Sequence, residues 1–267
     1  MKRIFFAGTL AAVSITMAAP AQSAFNGTWK VDLNTEAPPE KPDQFLLQGG
    51  MYECKTCNPP YTIRADGSDQ PIRGNPYIDT VAIKVVSDRV IEETDKKGGK
   101  VVTSSTATVS PDGKKLEFSF VDSSNTNGGP PVEGKGRATL AAAGPPGSHA
   151  ISGSWRFEKM ESLSDNGTVW TYKVNGDEIA MSTPTGQSYT AKLDGTDAPM
   201  KGDPGVTSVS LKMIGGDTLE ETDKRDGKVI SVSKMTVSAD GKKAKISFED
   251  KQQNRTSTIY AVKQWAK

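Results

Sequence analysis

The sequence predicts an all-β protein made of two tandem, homologous antiparallel units, and three observations support this. Apolar residues alternate with polar ones over short segments, as Val81, Ile83 and Val85 do. This period of two is typical of a strand with one buried face. Asp-Gly pairs, which favour tight hairpins, separate such segments at 112–113 and at 240–241. The third observation is that the two halves of the chain repeat each other.

The repeat relates residues 61–122 to residues 189–250. The two segments are identical at 29 of 62 positions without a gap. Residues 92–96 and 220–224, for example, both read Glu-Glu-Thr-Asp-Lys. A period of this length indicates a duplicated domain rather than a solenoid repeat.

The repeated unit begins before its most similar part. Gly-Thr-Trp at 27–29 resembles Gly-Ser-Trp at 153–155, and Gly- and Pro-rich segments mark the end of the first unit. We therefore predict a first β-barrel-like repeat over 25–148 and a second over 149–267.

Each unit is expected to contain about eight strands joined mostly by short turns, with the Pro-rich segment 36–42 as a surface loop. Closing such a meander into a barrel removes its exposed edges, and a barrel of this size encloses a filled core or one small cavity. One shared or open sheet is the alternative. The strands predicted in the first unit are 25–31, 51–55, 60–65, 79–87, 89–96, 100–110, 114–122 and 135–142.

The first residues have the pattern of a secretory signal peptide. A basic start at 1–3 precedes an uncharged apolar run at 4–19, and small residues at 19–21 suit a cleavage site. We predict a signal peptide over 1–23, and hence export to the periplasm or the extracellular space. The run is short for a membrane anchor, and no later stretch is apolar enough for a membrane span.

Composition excludes several functional classes. The 267 residues include 33 Lys and Arg and 32 Asp and Glu, a formal net charge of +1, so there is no basic excess for nucleic-acid binding. One His and two Cys rule out a His-rich metal site and a disulfide-dense scaffold. We predict no metal and no cofactor.

The two cysteines, Cys54 and Cys57, form the motif Cys-Lys-Thr-Cys. In an exported protein such a pair is normally oxidised, which predicts a local disulfide. A redox-active pair and half of a metal site shared with another chain are the alternatives. In thioredoxin-type enzymes the motif lies at a helix N-terminus, whereas this one lies between two segments with the sequence pattern of strands.

Two Asp-Gly-x-Asp segments, at 66–69 and 194–197, offer carboxylates for Ca²⁺ but lack the remaining ligands of a calcium loop. Turns in which Asp bonds its own backbone are the alternative. His149, the only histidine, is expected on the surface between the units.

A run of acidic residues in each unit resembles a catalytic carboxylate pair. Glycosidase chemistry requires two carboxyls at a fixed separation, and nothing in the sequence sets one here. Because lysines flank both runs, we expect solvated hairpins and assign no catalytic residue. The residues concerned are Glu92, Glu93 and Asp95, with copies Glu220, Glu221 and Asp223.

Two resemblances add to this interpretation. The Gly-x-Trp at the first strand of each unit resembles the opening motif of lipocalins, in which the Trp closes one end of the barrel. The sequence has no Thr-Asp-Tyr motif and no assignable Arg over the Trp. The mature chain also resembles a family of secreted bacterial proteins of unknown function, which implies location and architecture rather than activity. The matching segments are Gly27–Lys30, Tyr52–Tyr61, Asp66–Pro71 and Ser110–Lys114.

The functional expectation is a lipocalin-like module that binds a small apolar or amphipathic ligand. Small hydroxyls at Thr103 and Ser105 share a face with apolar residues, as in a lined cavity. The alternative is a non-enzymatic envelope protein, structural or interacting, with filled barrels. The aromatic residues predicted to line or plug the barrels are Trp29, Tyr61, Trp155 and Tyr189.

Overall fold

The computed structural model describes residues 23–35 and 40–265. The predicted signal peptide, except for its last residue, lies outside the described residues, as do residues 36–39 of the predicted Pro-rich loop.

The described chain forms two ten-stranded antiparallel sheets, each nearly closed into a barrel, which confirms the all-β class and the two barrel units. The first barrel contains β2 (Asp43–Gln48), β3 (Met51–Cys54), β4 (Tyr61–Arg64), β5 (Gln70–Pro71), β6 (Thr80–Ser87), β7 (Val90–Lys97), β8 (Lys100–Val109), β9 (Lys115–Asp122), β10 (Val132–Ala143) and β11 (Gly153–Leu163). The second contains β1 (Gly27–Val31), β12 (Val169–Asn175), β13 (Glu178–Ser182), β14 (Ser188–Lys192), β15 (Asp194–Pro199), β16 (Ser208–Ile214), β17 (Thr218–Arg225), β18 (Lys228–Val237), β19 (Lys243–Asp250) and β20 (Arg255–Gln264).

Each sheet nearly closes on itself. In the first barrel an isolated bridge joins Asp66, just after β4, to Lys84 on β6. In the second, Ser188 on β14 exchanges two backbone hydrogen bonds with Lys201, at 3.0 and 2.8 Å. The alternative of one shared sheet is therefore wrong.

Each barrel has two more strands than the sequence indicated. In the first barrel the additional strands are β2 and β5. The β2 segment, Asp-Gln-Phe-Leu-Leu-Gln, has three consecutive apolar residues and so lacks a clean alternation, although it pairs with a strand on each side. The β5 segment has two residues, one of them Pro, and is too short to give a pattern.

The barrels exchange their Trp-bearing strands relative to the repeats. Strand β1, from the first repeat, pairs with β12 and β20 of the second barrel. Strand β11, from the second repeat, pairs with β10 and β2 of the first. The sheet boundary therefore follows β11, near a 3-10 turn at Asp165–Gly167, and does not coincide with the repeat boundary at 148–149.

The lengths of the two strands explain where each one fits. Strand β11 has 11 residues and carries Phe157 and Met160 along the long strand β10. A Cβ atom built on Gly136 would lie 3.0 Å from Met160 Sδ, so this glycine is what lets the Met approach. Strand β1 has five residues and ends at Val31, so it offers no such contacts.

Each barrel has one of the two tryptophans buried in its core. Trp29 Nε1 donates to Phe25 O at 2.9 Å, and Trp155 Nε1 donates to Ile151 O at 2.7 Å. Both indoles are almost completely buried, so these bonds satisfy their only polar atom. Lys263 covers the ring of Trp29, with its Nζ 4.8 Å from the ring centroid.

Polar contacts join the two barrels. Asp203 on the second barrel accepts hydrogen bonds from Tyr77 Oη at 2.8 Å and from Asn125 Nδ2 at 2.9 Å. Elsewhere, Arg255 on β20 pairs with Asp43 on β2 at 2.8 Å. These contacts use residues that differ between the repeats, since Tyr77 corresponds to Gly205.

Candidate functional site

The first barrel encloses a cavity of about 370 Å³, which lies within the range of small-molecule sites. Its walls are mainly aromatic and aliphatic side chains, and the polar groups that reach it include Glu93 and Ser105. Neighbouring rings contact one another, with centroids 6.3 Å apart for Phe118 and Phe157. The aromatic lining consists of Phe45, Tyr52, Phe118, Phe120, Trp155 and Phe157.

A wider hollow of about 720 Å³ lies on the same sheet. It is lined chiefly by side chains that point away from the barrel interior, such as Glu92, Ser104 and Val121. Val121 is 44% exposed. We therefore regard it as a surface groove, and the 370 Å³ cavity, which is lined by the aromatic interior of the barrel, as the candidate site.

Small residues create the cavity at positions where the second barrel has large ones. Ala107 lies opposite Ile91 and Phe118, and its repeat counterpart Met235 lies opposite Leu219 and Ile246. Ala107 lines the cavity, whereas Met235 is buried in the core of the second barrel. The same interior position is thus hollow in one barrel and filled in the other.

A second small residue is Gly136, which pairs with Phe118 across the sheet. In the second barrel the repeat counterpart of Phe118 is Ile246, and it pairs with Ile259. Gly136 and Ile259 therefore occupy equivalent positions. Ile259 packs against the core there. A Cβ atom on Gly136 would lie 2.5 Å from Phe118 Cζ and 3.0 Å from the carbonyl oxygen of Lys159. The ring of Phe118 therefore rests directly on the glycine backbone and forms part of the cavity wall.

We expect Gly136→Ala to lower the free energy of unfolding by about 1–3 kcal/mol, because the new methyl group forces Phe118 from its position. Urea denaturation monitored by Trp fluorescence measures this change. Ala138→Gly on the same strand serves as a comparison, since it removes a methyl group without a clash. An unchanged stability of Gly136→Ala would contradict the close approach of Phe118.

A buried carboxyl pair forms the polar side of the cavity. Glu93 and Asp95 face the interior on β7, and Tyr61 Oη donates to Glu93 Oε1 at 3.1 Å. The two carboxyls lie on the same face of β7 and interact electrostatically. Burial raises the pKa of Glu93. Burial, followed by the charge of Glu93, raises the pKa of Asp95 to about 8.

The second barrel contains the same arrangement. Tyr189 donates to Glu221, and Ser231 Oγ donates to Asp223 Oδ2 at 2.6 Å. Burial, then the charge of Asp223, raises the pKa of Glu221 to about 8, and burial also raises the pKa of Asp223. The pair is therefore common to both barrels, whereas the cavity beside Glu93 depends on residues specific to the first.

The expectation that these acidic runs are solvated hairpins is wrong for the inner carboxyls. Glu92 is the outward residue, and its carboxylate pairs with Lys84 at 3.0 Å. Asp95 is only 8% exposed. The signal was present in the sequence, because Glu93 and Asp95 have the same parity on the strand as the apolar Ile91.

The four aromatic residues predicted to line the barrels occupy different positions. Trp155 lines the cavity, and Tyr61 lies at its edge as the donor to Glu93. Trp29 and Tyr189 both belong to the core of the second barrel. Thr103 donates to Asp122 Oδ1 at 3.3 Å, whereas its neighbour on the same face, Ser105, reaches the cavity.

The two cysteines form the predicted disulfide, with an S–S distance of 2.01 Å. Both Cys54 and Cys57 line the cavity, and Cys54 is almost fully buried. In the part of the chain that the structure describes, no group of three or more His, Cys, Asp and Glu side chains is placed to hold a metal ion.

The remaining polar motifs have local structural roles. Asp66 Oδ1 accepts hydrogen bonds from the backbone N–H and hydroxyl of Ser68 in a turn, and Asp194 accepts the same bonds from Thr196 at an irregularity within β15. His149 is half-buried rather than on the surface. Its Nδ1 accepts from the N–H of Ile151 at 3.1 Å, while Nε2 donates to a β6 carbonyl at 2.7 Å.

Comparison with known proteins gives no family: no protein-family model matches this chain, and no curated protein matches it significantly. None of the helices within residues 23–35 and 40–265 has the length and apolar character needed to cross a membrane.

Proposed function

We propose that this is an exported small-molecule-binding protein and that the first barrel is its binding module. The observation that carries the proposal is the cavity of about 370 Å³, which has aromatic walls and a few polar groups. This combination is typical of small-ligand sites. The ligand is a small apolar or amphipathic molecule.

The lining residues give the binding mode. The ligand's apolar part lies against Phe118, Phe157 and Trp155, where burial of its surface supplies most of the affinity. Its polar part faces Glu93 and Ser105, which fix its orientation. No step in this proposal requires catalysis.

The second barrel favours a different role, because its interior is filled. Met235 and Ile259 occupy space where the first barrel has Ala107 and Gly136. We propose that this barrel acts as a structural or interaction module that supports the first through contacts such as the Arg255–Asp43 ion pair.

Export is supported by the signal-like segment 1–23 and by the Cys54–Cys57 disulfide, since disulfides persist mainly in oxidising compartments. Sequencing the N-terminus of protein recovered from the periplasm or the culture medium tests it. A chain that retains Met1 inside the cytoplasm would contradict export.

Filling the cavity tests the binding proposal. Ala107→Met introduces the side chain that the second barrel accommodates at position 235, so the fold is expected to survive while the cavity shrinks. We expect the affinity for the neutral dye N-phenyl-1-naphthylamine, measured by dye fluorescence, to fall by about tenfold or more.

Thr108→Met on the same strand is the matched control, because residue 108 is exposed and points outward. It is expected to bind the dye as the parent protein does. Equal binding by both variants would place the dye outside the barrel. If the parent protein does not bind the dye, the binding proposal is contradicted and both barrels are assigned a structural role.

A further inference from the structure

The polar side of the first-barrel cavity carries negative charge without a cation of its own. Glu93 lines the cavity, and Asp95, two residues further along β7, is 8% exposed. Asp95 Oδ1 has no hydrogen-bond partner, and the same is true of Asp223 Oδ1 in the second barrel. A buried carboxylate oxygen without a partner is costly, and in the first barrel Glu93 borders a cavity that can admit a positive group.

The groups that surround the pair do not supply that positive charge. Tyr61 on β4 and Tyr52 on β3 are phenols, while Asp122 on β9 adds negative charge to Asp95. Asp43 on β2 is already paired with Arg255. The facing residues on β6, β8, β10 and β11 are Ile83, Ser105, Gly134 and Leu163, which do not titrate.

Three basic residues of the same strands are paired with other carboxylates. Lys84 pairs with Glu92, Lys96 pairs with Asp69 at 2.6 Å, and Arg137 lies between two glutamates of β11. The residues that line the cavity, all within the described part of the chain, include no Lys, Arg or His.

We propose that the cavity selects a small hydrophobic cation, an amine attached to an aromatic or branched apolar group, with the ammonium at Glu93 and the apolar group against Phe118 and Trp155. This inference rests on the proposed binding function and specifies, in addition, that the ligand is positively charged. An ammonium supplies hydrogen-bond donors to the carboxyl pair, and aromatic faces around it attract the same charge.

The arrangement also acts against other ligands. An anion would be repelled by the carboxyl pair, and a neutral apolar molecule would cover Glu93 without bonding it. Discrimination therefore comes from both the attraction of a cation and the exclusion of its competitors.

Amine binding is coupled to one proton. Burial raises the pKa of Glu93 and that of Asp95, so the pair retains a proton near neutral pH; an incoming ammonium replaces that proton, which leaves Asp95 or Glu93 for the solvent. The ammonium takes over the positive charge of the proton, and the net charge of the site is the same before and after binding. Affinity is expected to rise between pH 6 and pH 8, a range in which an alkylamine stays protonated.

Three probes with the same ring and different charge test the inference by isothermal titration calorimetry at about pH 7.5: 2-naphthylmethylamine, 2-naphthylmethanol and 2-naphthoate. We expect the amine to bind at least about tenfold more tightly than the alcohol, and the carboxylate to bind more weakly than either. Titration in buffers of different ionisation enthalpy is expected to show net proton release with the amine only.

Glu93→Gln is expected to lower the amine affinity to that of the alcohol and to leave the alcohol unchanged. Glu221→Gln, the same substitution in the second barrel, is the matched control and is expected to change neither. If Glu93→Gln fails to give the native circular dichroism spectrum, Asp95→Asn replaces it, and loss of proton release is the expected result.

The outcomes separate the two proposals. Equal affinity for amine and alcohol would overturn the charge inference and leave the binding function standing. Binding of none of the three probes would overturn the binding function and the inference together. An amine preference that survives in Glu93→Gln and in Asp95→Asn would place the cation elsewhere and overturn the inference.

Discussion

Residues 40–164 are expected to fold on their own, whereas residues 40–148 are expected to remain unfolded. The longer fragment contains all ten strands of the first barrel, and the shorter one lacks β11 with Trp155 and Phe157. Losing a buried Trp alone typically costs about 3–5 kcal/mol, a large share of the usual 5–15 kcal/mol of a domain. The missing strand also leaves β2 and β10 without a partner on one side. Far-UV circular dichroism and urea denaturation measure the difference.

The second barrel supplies the reciprocal control. Residues 164–265 lack β1 and Trp29, so this fragment is expected to gain cooperative unfolding only when a peptide spanning residues 23–32 is added. If residues 40–148 unfold cooperatively and residues 40–164 gain nothing, the assignment of β11 to the first barrel is contradicted.

The free energy of unfolding is expected to fall as the pH rises from about 4 towards 8. The folded-state pKa of Asp95 and that of Glu221 are raised to about 8, so in this window the folded chain holds protons that the unfolded chain releases. The stabilisation from these protons is complete below the unfolded pKa and is lost as the pH passes the folded pKa. Each proton contributes up to about 1.4 kcal/mol per pH unit. Urea denaturation at pH 5, 6, 7 and 8 measures the slope.

Asp95→Asn identifies the source of that slope. An amide carries no charge at any of these pH values, so the variant is expected to lose part of the pH dependence and to gain stability relative to the parent protein at pH 8. Glu92→Gln, one strand position from Glu93 and outward-facing, is expected to keep the full slope. A parent protein whose stability is constant or rises between pH 5 and pH 8 would contradict the raised pKa of the pair.

Local patterns were sufficient to predict the strands that alternate cleanly. Strand β6, with buried Val81 and Ile83, and strand β9, with buried Leu116, both follow from a period of two. Both Asp-Gly hairpins were likewise predicted. These features depend on neighbours within a few residues, which is the information that one sequence contains.

The strand exchange was not predictable in this way, because the segments around Trp29 and Trp155 look equivalent. The difference lies in their partners: Trp29 is covered by Lys263, whereas Leu140 occupies the matching position beside Trp155. The Trp29–Lys263 contact spans more than two hundred residues of sequence, whereas Leu140 and Trp155 are near in the chain. A local pattern therefore cannot assign the strand of Trp29 to its barrel.

The site was predicted in part. Trp155 and the inward Ser105 were expected to line a cavity, and both do. The carboxyl of Glu93 was assigned to solvent because charged residues are mostly exposed. The cavity arises from residue differences between the two repeats, above all Ala107 in place of Met235. The effect of such a difference can be judged only when the strand pairing shows which residues face the interior.

The most direct test of the central claim, that the first barrel is a hollow binding module, is a crystal structure of the protein with 2-naphthylmethylamine at saturating concentration. The account predicts the naphthyl ring between Phe118 and Trp155, with the amine within hydrogen-bond distance of Glu93. An empty cavity, or a ligand bound only on the outer surface, would contradict it.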